Sequence, residues 1–260
     1  MLLAWTPRLV HTANVKRTKL KLRLDQELVR RSVLATRSQA ESYIKLGKVQ
    51  VNGQVVTKAG TLVDEKDKLV LTAKEQYVSR AGLKLASVAQ TLSLDFTNKV
   101  VLDVGSSTGG FTDYALQHGA SKVIGVEVGK NQLHPSLHGN PKIELHEQTD
   151  IRDIDELSNT PDMVVIDVSF ISLRDVLPHV STLIQPKTQI IAMVKPQFEA
   201  GKEQVHKGII KNDRIRRDIL KDFESWASKL FMIIEKSDSE VAGAKGNRER
   251  FYLLKPIIKK

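Results

Sequence analysis

Two groups of residues in this chain have the types and spacing to do chemistry. The first lies in Val101–Thr112, VLDVGSSTGGFT, an apolar segment running into an acid, a glycine-rich turn and the start of a helix. Such a turn builds a ligand crevice at the carboxyl end of a parallel strand. A dinucleotide pyrophosphate demands bare backbone amides at a G-x-G-x-x-G spacing. Here three residues separate Gly105 from Gly109 and Gly110, and the loop carries the hydroxyls of Ser106, Ser107 and Thr108 beside Asp103. That set suits a ligand with a cationic amino-acid end and no phosphate. Glu127 stands 24 residues beyond Asp103, near the position of the acid that accepts ribose hydroxyls in nucleoside-binding folds. Asp150 is placed to meet an adenine amino group. Each acid taken singly also reads as a helix N-cap, and the turn as a packing feature alone. Four acids in register at strand ends (Asp103, Glu127, Asp150, Asp167) favour the crevice.

The second group centres on Asp167 and Lys195. Asp167 closes the apolar run that begins at Met163, and Lys195 closes Ile190–Val194. Neighbouring strands would bring the two side chains together. The Lys195 ammonium then approaches the edge of the core, where it requires a carboxylate. Pro196 stops the strand directly after the lysine, which favours a place at the mouth of the sheet. A purely structural ion pair is the plain alternative.

The elements that must position these groups read as two modules. Residues 1–20 form a basic tail without periodicity. Residues 21–74 form a compact unit: Leu24, Leu28, Val29, Val33 and Leu34 recur at helical spacing. Ser38 reads as an N-cap, with Glu41 completing a capping box for a helix that stops at Gly47. Val49, Val51, Asn52-Gly53 and Val55-Val56 signal a hairpin, and Leu69–Leu71 a further strand. Residues 75–79 read as a linker. Residues 80–260 alternate helices with apolar strands at 100–103, 123–127, 143–146, 163–167 and 190–194, the pattern of a parallel sheet covered on both faces. Asp213–Lys229 reads as an amphipathic helix, and Phe231–Glu235 with Phe251–Leu254 as a final strand pair. The fold class is therefore α/β, a doubly wound, mostly parallel sheet, with a small α+β domain in front.

Composition narrows the function classes. The chain has 260 residues, no cysteine and a net charge of +10. Disulfides and thiolate metal sites are excluded, and no metal is expected. Its apolar runs are strand-length, far below the roughly 20 residues of a spanning helix. No targeting segment is evident, so a cytoplasmic protein that does not enter a membrane is expected. Residues 1–76 carry 15 basic against 7 acidic side chains, and the remainder 25 against 23. The excess sits in the front module, an electrostatic footprint for a polyanion. Arg23, Arg30, Arg31, Arg37, Lys45 and Lys48 are the candidate nucleic-acid contacts.

The motifs SRAGLKL at Ser79–Leu85, LDVGSSTGGFT at Leu102–Thr112, DVSFISL at Asp167–Leu173, VKPQFEAGK at Val194–Lys202 and GNRERFYLL at Gly246–Leu254 together resemble the TlyA family of ribosomal-RNA 2′-O-methyltransferases, also called hemolysin A-like. The front module resembles the alpha-L RNA-binding motif of a small-subunit ribosomal protein. The resemblance runs from about Lys21 to the end. It implies a Rossmann-like class I methyltransferase of the FtsJ-like group using S-adenosyl-L-methionine, with a Lys–Asp–Lys–Glu tetrad on Lys84, Asp167, Lys195 and Glu249. The Glu249 placement rests on aligning GNRE. The family's cofactor loop falls on Asp103–Gly110, and the implied target is cytidine in ribosomal RNA within ribosomal subunits.

Methyl transfer to a ribose 2′-hydroxyl needs in-line alignment and one proton transfer. Desolvation and positive neighbours favour a neutral Lys195 that acts as general base. Asp167 and Glu249 favour a charged Lys195 that orients the oxygen lone pair. Both readings stand at this point. Three other functions compete. A nicotinamide oxidoreductase lacks its glycine spacing and a hydride-handling histidine. A pore-forming hemolysin lacks spanning helices or long barrel strands. An RNA-binding protein with an inactive methyltransferase fold is at odds with the intact tetrad.

Overall fold

The computed structural model describes residues 21–73, 76–206, 208–210, 212–243 and 246–257. The expected tail and residues 74 and 75 lie outside them. The chain divides into two compact units, Met1–Thr72 and Ala73–Lys260.

In the first unit, strand β1 (Leu22–Arg23) leads into α1 (Leu24–Arg30) and α2 (Arg37–Lys45), followed by β2 (Val49–Val51), β3 (Gln54–Val55), β4 (Leu62–Val63) and β5 (Leu69–Leu71). Strands β3, β2 and β5 form an antiparallel sheet, and β1 pairs with β4. The Asn52-Gly53 turn has both residues at positive φ, 52° and 83°, as a tight hairpin of matching twist requires. Leu24, Leu28, Tyr43, Ile44 and Val49 are buried and form a small core. The start of α2 corrects the sequence reading. Thr36, not Ser38, is the N-cap, and Gln39, not Glu41, closes the box. Thr36 has an extended backbone and accepts from the Gln39 amide at 3.2 Å, while Ser38 already lies inside the helix. Thr36-x-x-Gln39 satisfies the same pattern two residues earlier, so Glu41 is left on the surface, 3.7 Å from Arg37.

The second unit contains α3 (Arg80–Ala89), β6 (Val100–Val104), α4 (Gly110–Gln117), β7 (Lys122–Glu127), β8 (Ile143–Glu147), β9 (Met163–Ile166), α5 (Leu173–Val180), β10 (Gln189–Val194), α6 (Pro196–Glu199), α7 (Asp213–Ala227), β11 (Phe231–Asp238) and β12 (Arg250–Pro256). Its seven strands run in the order β11-β12-β10-β9-β6-β7-β8. The five from β6 to β10 are parallel, and β12 and β11 close one edge antiparallel. The chain starts in the middle at β6, proceeds outward through β7 and β8, then returns to lay β9 on the other side. The topological switch therefore falls between β6 and β9, where an open α/β sheet binds its ligand. Both faces of the sheet are covered, and residues such as Leu102, Ile124, Val164, Ile190 and Phe223 are fully buried. Residues 76–79, expected within a linker, instead pack on this unit. Tyr77 is buried, and the Val78 amide donates to Asp113 Oδ2 at 2.8 Å.

Candidate active site

The carboxyl ends of β6, β7 and β9 surround two cavities that share Gly105, Ser107 and Asp167. The larger, about 610 Å³, is walled by Val126, Glu127, Val128, Asp150 and Ile151. The smaller, about 190 Å³, reaches Lys84, Asp103, Ser106 and Thr108. The larger volume is within the range of small-molecule sites. Gly105 borders both cavities. Its φ is +79°, and a Cβ there would sit 3.0 Å from the Asp167 carbonyl. Gly110 serves a different purpose: a Cβ would meet Ala81 Cβ at 2.7 Å, so its absence lets α4 close on α3.

Asp103 is fully buried at the end of β6. Thr112 donates to its Oδ2 at 2.6 Å, and Oδ1 has no partner. Burial, helped by the nearby Asp167 and Glu127 carboxylates, pushes its acid up to about 7 against the pull of the Thr112 hydrogen bond. A buried acceptor without a donor is costly, and a cationic amino-acid end in the small cavity would satisfy it. The buried Ser106 hydroxyl also lacks a partner. The residues present therefore fit S-adenosylmethionine.

The other loop residues are more committed than their sequence suggested. Ser107 donates to Gln132 Oε1 at 3.0 Å and Thr108 to the Ser79 hydroxyl at 2.6 Å. Gly109, at φ +83°, is the left-handed residue before α4. Glu127 lines the larger cavity, but its carboxylate already accepts from the Ser107 amide at 2.9 Å and the Gly129 amide at 2.7 Å. A carboxylate has about four acceptor positions, so it can still meet a ribose hydroxyl while it shapes the loop. Asp150 lines the cavity too, yet it caps a short 3₁₀ turn and holds Arg152 through both oxygens, at 3.0 and 2.7 Å. The N-cap reading thus holds for Asp150 alongside the cavity position.

The tetrad resolves into two ion pairs. Lys84 Nζ, from α3, lies 2.6 Å from Glu249 Oε2, just before β12. Lys195 Nζ, at the end of β10, lies 2.5 Å from Asp167 Oδ1, at the end of β9. All four side chains are largely buried. Neither carboxylate oxygen takes an aligned hydrogen bond from its lysine, so both contacts are charge contacts. β9 and β10 are parallel neighbours whose register ends at Ile166 opposite Ala192, so Asp167 is level with Met193 and the Lys195 side chain reaches back from two residues beyond.

Three functional neighbours were not legible in the sequence. Lys195 also donates to the Ser169 hydroxyl at 2.7 Å, and alternation at the strand end was the available clue. Thr112, the partner of Asp103, stands one turn into the helix of the same motif. Phe170 has a left-handed backbone, φ +65°, and a side chain 92% exposed at the cavity mouth, its ring centroid 5.1 Å from that of Phe198. A bulky residue in that conformation is an outlier that the surroundings must hold.

In the first unit, the candidate RNA contacts are organised by two buried acids. Asp25 accepts from Arg23 at 3.0 Å and Arg37 at 2.7 Å. Glu27 accepts from Arg30 at 2.7 Å and Arg31 at 2.6 Å. The Arg30 hydrogen bond, with help from Arg31 and against burial, holds Glu27 down at about 2. Arg31 also donates to the Asp64 and Asp67 carbonyls, so its guanidinium is structural. Arg23, Arg30 and Arg37 keep much of their surface in solvent, and Lys45 and Lys48 border the turn before β2.

A doubly wound sheet with this crevice and these ion pairs defines an S-adenosylmethionine-type methyltransferase fold, and residues 77–255 match the FtsJ-like methyltransferase family. Residues 22–69 match the S4 domain. The chain belongs to the FtsJ-like methyltransferase family, with an S4 domain in front. It is 38% identical to the 16S/23S rRNA (cytidine-2′-O)-methyltransferase TlyA of Mycobacterium tuberculosis, over 74% of each chain. It is 37% identical to hemolysin A of Brachyspira hyodysenteriae, over 91% of this chain and all of that one. The solved structure of a hemolysin candidate from Streptococcus thermophilus superposes with a TM-score of 0.68 at 35% identity, covering 91% of this chain and 88% of the other.

Proposed function

We propose that this protein transfers a methyl group from S-adenosylmethionine to the 2′-hydroxyl of cytidine in ribosomal RNA, in the cytoplasm and on ribosomal subunits. The observation that carries this reading is the pairing of Lys84–Glu249 and Lys195–Asp167 beside a crevice whose buried Asp103 Oδ1 lacks a donor. The cofactor, when bound, supplies a methyl group already activated on a cationic sulfur. Asp103 and Ser106 hold the amino-acid end, while Glu127 and the apolar walls of the larger cavity receive the nucleoside. Asp150 stands at the far wall.

The protein's remaining task is alignment and one proton. Asp167 and Ser169 fix the Lys195 amine from two sides, leaving its remaining direction for the incoming hydroxyl. Lys195 then either takes the hydroxyl proton as a neutral base or, as a cation, orients the oxygen lone pair. Lys84, held by Glu249, lines the smaller cavity with Asp167 and supplies a cation on the side of the reacting oxygen. The exposed Phe170 ring offers a stacking face for a nucleobase, and the 2′-hydroxyl restricts the reaction to RNA. The S4 domain supplies backbone affinity through Arg23, Arg30, Arg37, Lys45 and Lys48, with Arg31 holding their scaffold.

Among the described residues no helix is long and apolar enough to cross a membrane. The decisive experiment incubates the protein and S-adenosylmethionine with ribosomal subunits from cells lacking it, then maps 2′-O-methyl marks by mass spectrometry. A new mark at cytidine is expected; unmodified RNA overturns the reading.

A further inference from the structure

The two loops that carry the Asp167–Lys195 pair are joined at both ends. At one end, Lys195 reaches Asp167 at 2.5 Å and Ser169 at 2.7 Å. In the middle, the Phe170 ring of one loop lies 5.1 Å, centroid to centroid, from the Phe198 ring of the other. At the far end stands Glu199, the last residue of α6, which the methyl transfer as derived does not use. Its side chain is 1% exposed. One oxygen accepts from the Ser172 hydroxyl at 2.6 Å, and the other from the Leu173 amide at 2.7 Å, at the first turn of α5. Arg174 Nε lies 3.6 Å away. Burial pushes the Glu199 acid up, against those two hydrogen bonds. A buried carboxylate at a helix N-terminus is favourably placed, but its desolvation is offset only while the bonds hold.

We propose that Glu199 is the positioning residue of this site: it pins residues 167–173 to the segment after Lys195, and so holds Asp167, Ser169 and the strained Phe170 in working geometry. The geometry supports this in three respects. The joined residues are separated in sequence by 26 or 27 positions, so the contact ties together two segments that are remote along the chain. Phe170, between the two anchored ends, has a left-handed backbone at φ +65°, a conformation that persists only where its surroundings hold it. Glu199 is not among the residues lining either cavity. Residues 167–171, which it pins, form one wall of the larger cavity, so its loss should disturb the reacting groups more than the cofactor's amino-acid end at Asp103 and Ser106. This inference rests on the methyltransferase reading above.

The test measures turnover on ribosomal subunits and, separately, S-adenosylmethionine affinity by calorimetry. Wild-type protein is assayed first, and its failure to methylate overturns the methyltransferase reading itself. With wild-type activity in hand, Glu199→Ala should lower kcat on the order of 100-fold, the scale of an ångström-level misplacement. Its cofactor affinity should fall by less than about tenfold, because the pinned residues 167–171 form only one wall of the nucleoside cavity while Asp103, Ser106 and Glu127 have no bond to Glu199. Glu199→Gln keeps an acceptor for the Leu173 amide and a hydrogen-bonding partner for Ser172, and should recover kcat to within about fivefold of wild type. If the alanine variant does not fold, Glu199→Asp serves. It keeps the charge, retracts it by one methylene and should cost about tenfold in kcat alone. Wild-type kcat in the alanine or aspartate variant overturns the proposal. So does a loss of cofactor affinity equal to the loss of kcat.

Discussion

Replacing Asp103 by asparagine should make the free protein more stable at neutral pH and the cofactor complex weaker. Asp103 is fully buried, Thr112 satisfies one oxygen and the other has no donor. Its acid is raised from an ordinary 3.8 to about 7, chiefly by burial. A raised carboxyl means the folded state holds a proton that the unfolded state releases. Stability is fully present below about pH 4 and is lost as pH rises towards 7. At about 1.4 kcal/mol per tenfold change in proton affinity, the loss is at most about 4 kcal/mol above pH 7. Asparagine has nearly the same shape, keeps a partner for Thr112 and does not titrate. Chemical unfolding of the two proteins between about pH 5 and pH 8.5 should show wild-type stability falling relative to the variant across that window. Cofactor binding should run the other way, since a cationic amino group favours the ionised acid. Calorimetry in buffers of different ionisation enthalpy should find about one proton released per cofactor bound at about pH 6, and almost none at pH 8.5. The variant should release none and bind about tenfold or more weakly. Equal pH dependence of stability in the two proteins, or no proton release by wild type at pH 6, refutes the argument.

Lys195→Ala should reduce turnover by about 10²–10⁴-fold while leaving RNA affinity nearly unchanged, read by single-turnover methylation and filter binding. Lys195→Arg tests the base role, because arginine cannot serve as a base: retained turnover means orientation and rules proton transfer to residue 195 out. Gly105→Ala places a Cβ 3.0 Å from the Asp167 carbonyl at φ +79°, and should cost about 1–3 kcal/mol of stability together with cofactor binding. Thermal unfolding and calorimetry on the same sample check it. Glu27, held down at about 2, contributes stability that is present above pH 4.5 and lost as pH falls through about 2. Glu27→Gln should flatten that acid limb and release Arg30 and Arg31, detected by acid titration of circular dichroism. Charge reversal at Arg30 and Arg37 together should weaken RNA binding and reduce its salt slope by about two contacts without changing cofactor affinity.

Much of this was written in the sequence because it depends on local patterning. Continuous apolar runs ending in an acid or a lysine predict parallel strands whose ends face a crevice, and β6, β7, β9 and β10 are those strands. Adjacency of β9 and β10 brings Asp167 and Lys195 near each other, and the long lysine side chain spans their two-residue offset. The glycine spacing of Gly105 to Gly110 set the turn, and the Asn52-Gly53 pair set a hairpin. Only the tertiary structure could decide which partners each polar group finds. Asp150 and Glu127 look alike as acids at strand ends, yet one is occupied by its own Arg152 and a cap, and the other by two loop amides. Arg31 resembles its basic neighbours but is spent on Asp64 and Asp67 carbonyls more than thirty residues away. Lys84 meets Glu249 only because β12 returns beside β10, and Glu199 meets Ser172 only because two loops emerge from neighbouring strand ends. Residue type and period fix elements; long-range contacts, which have no local signature, fix which charges are free to do chemistry.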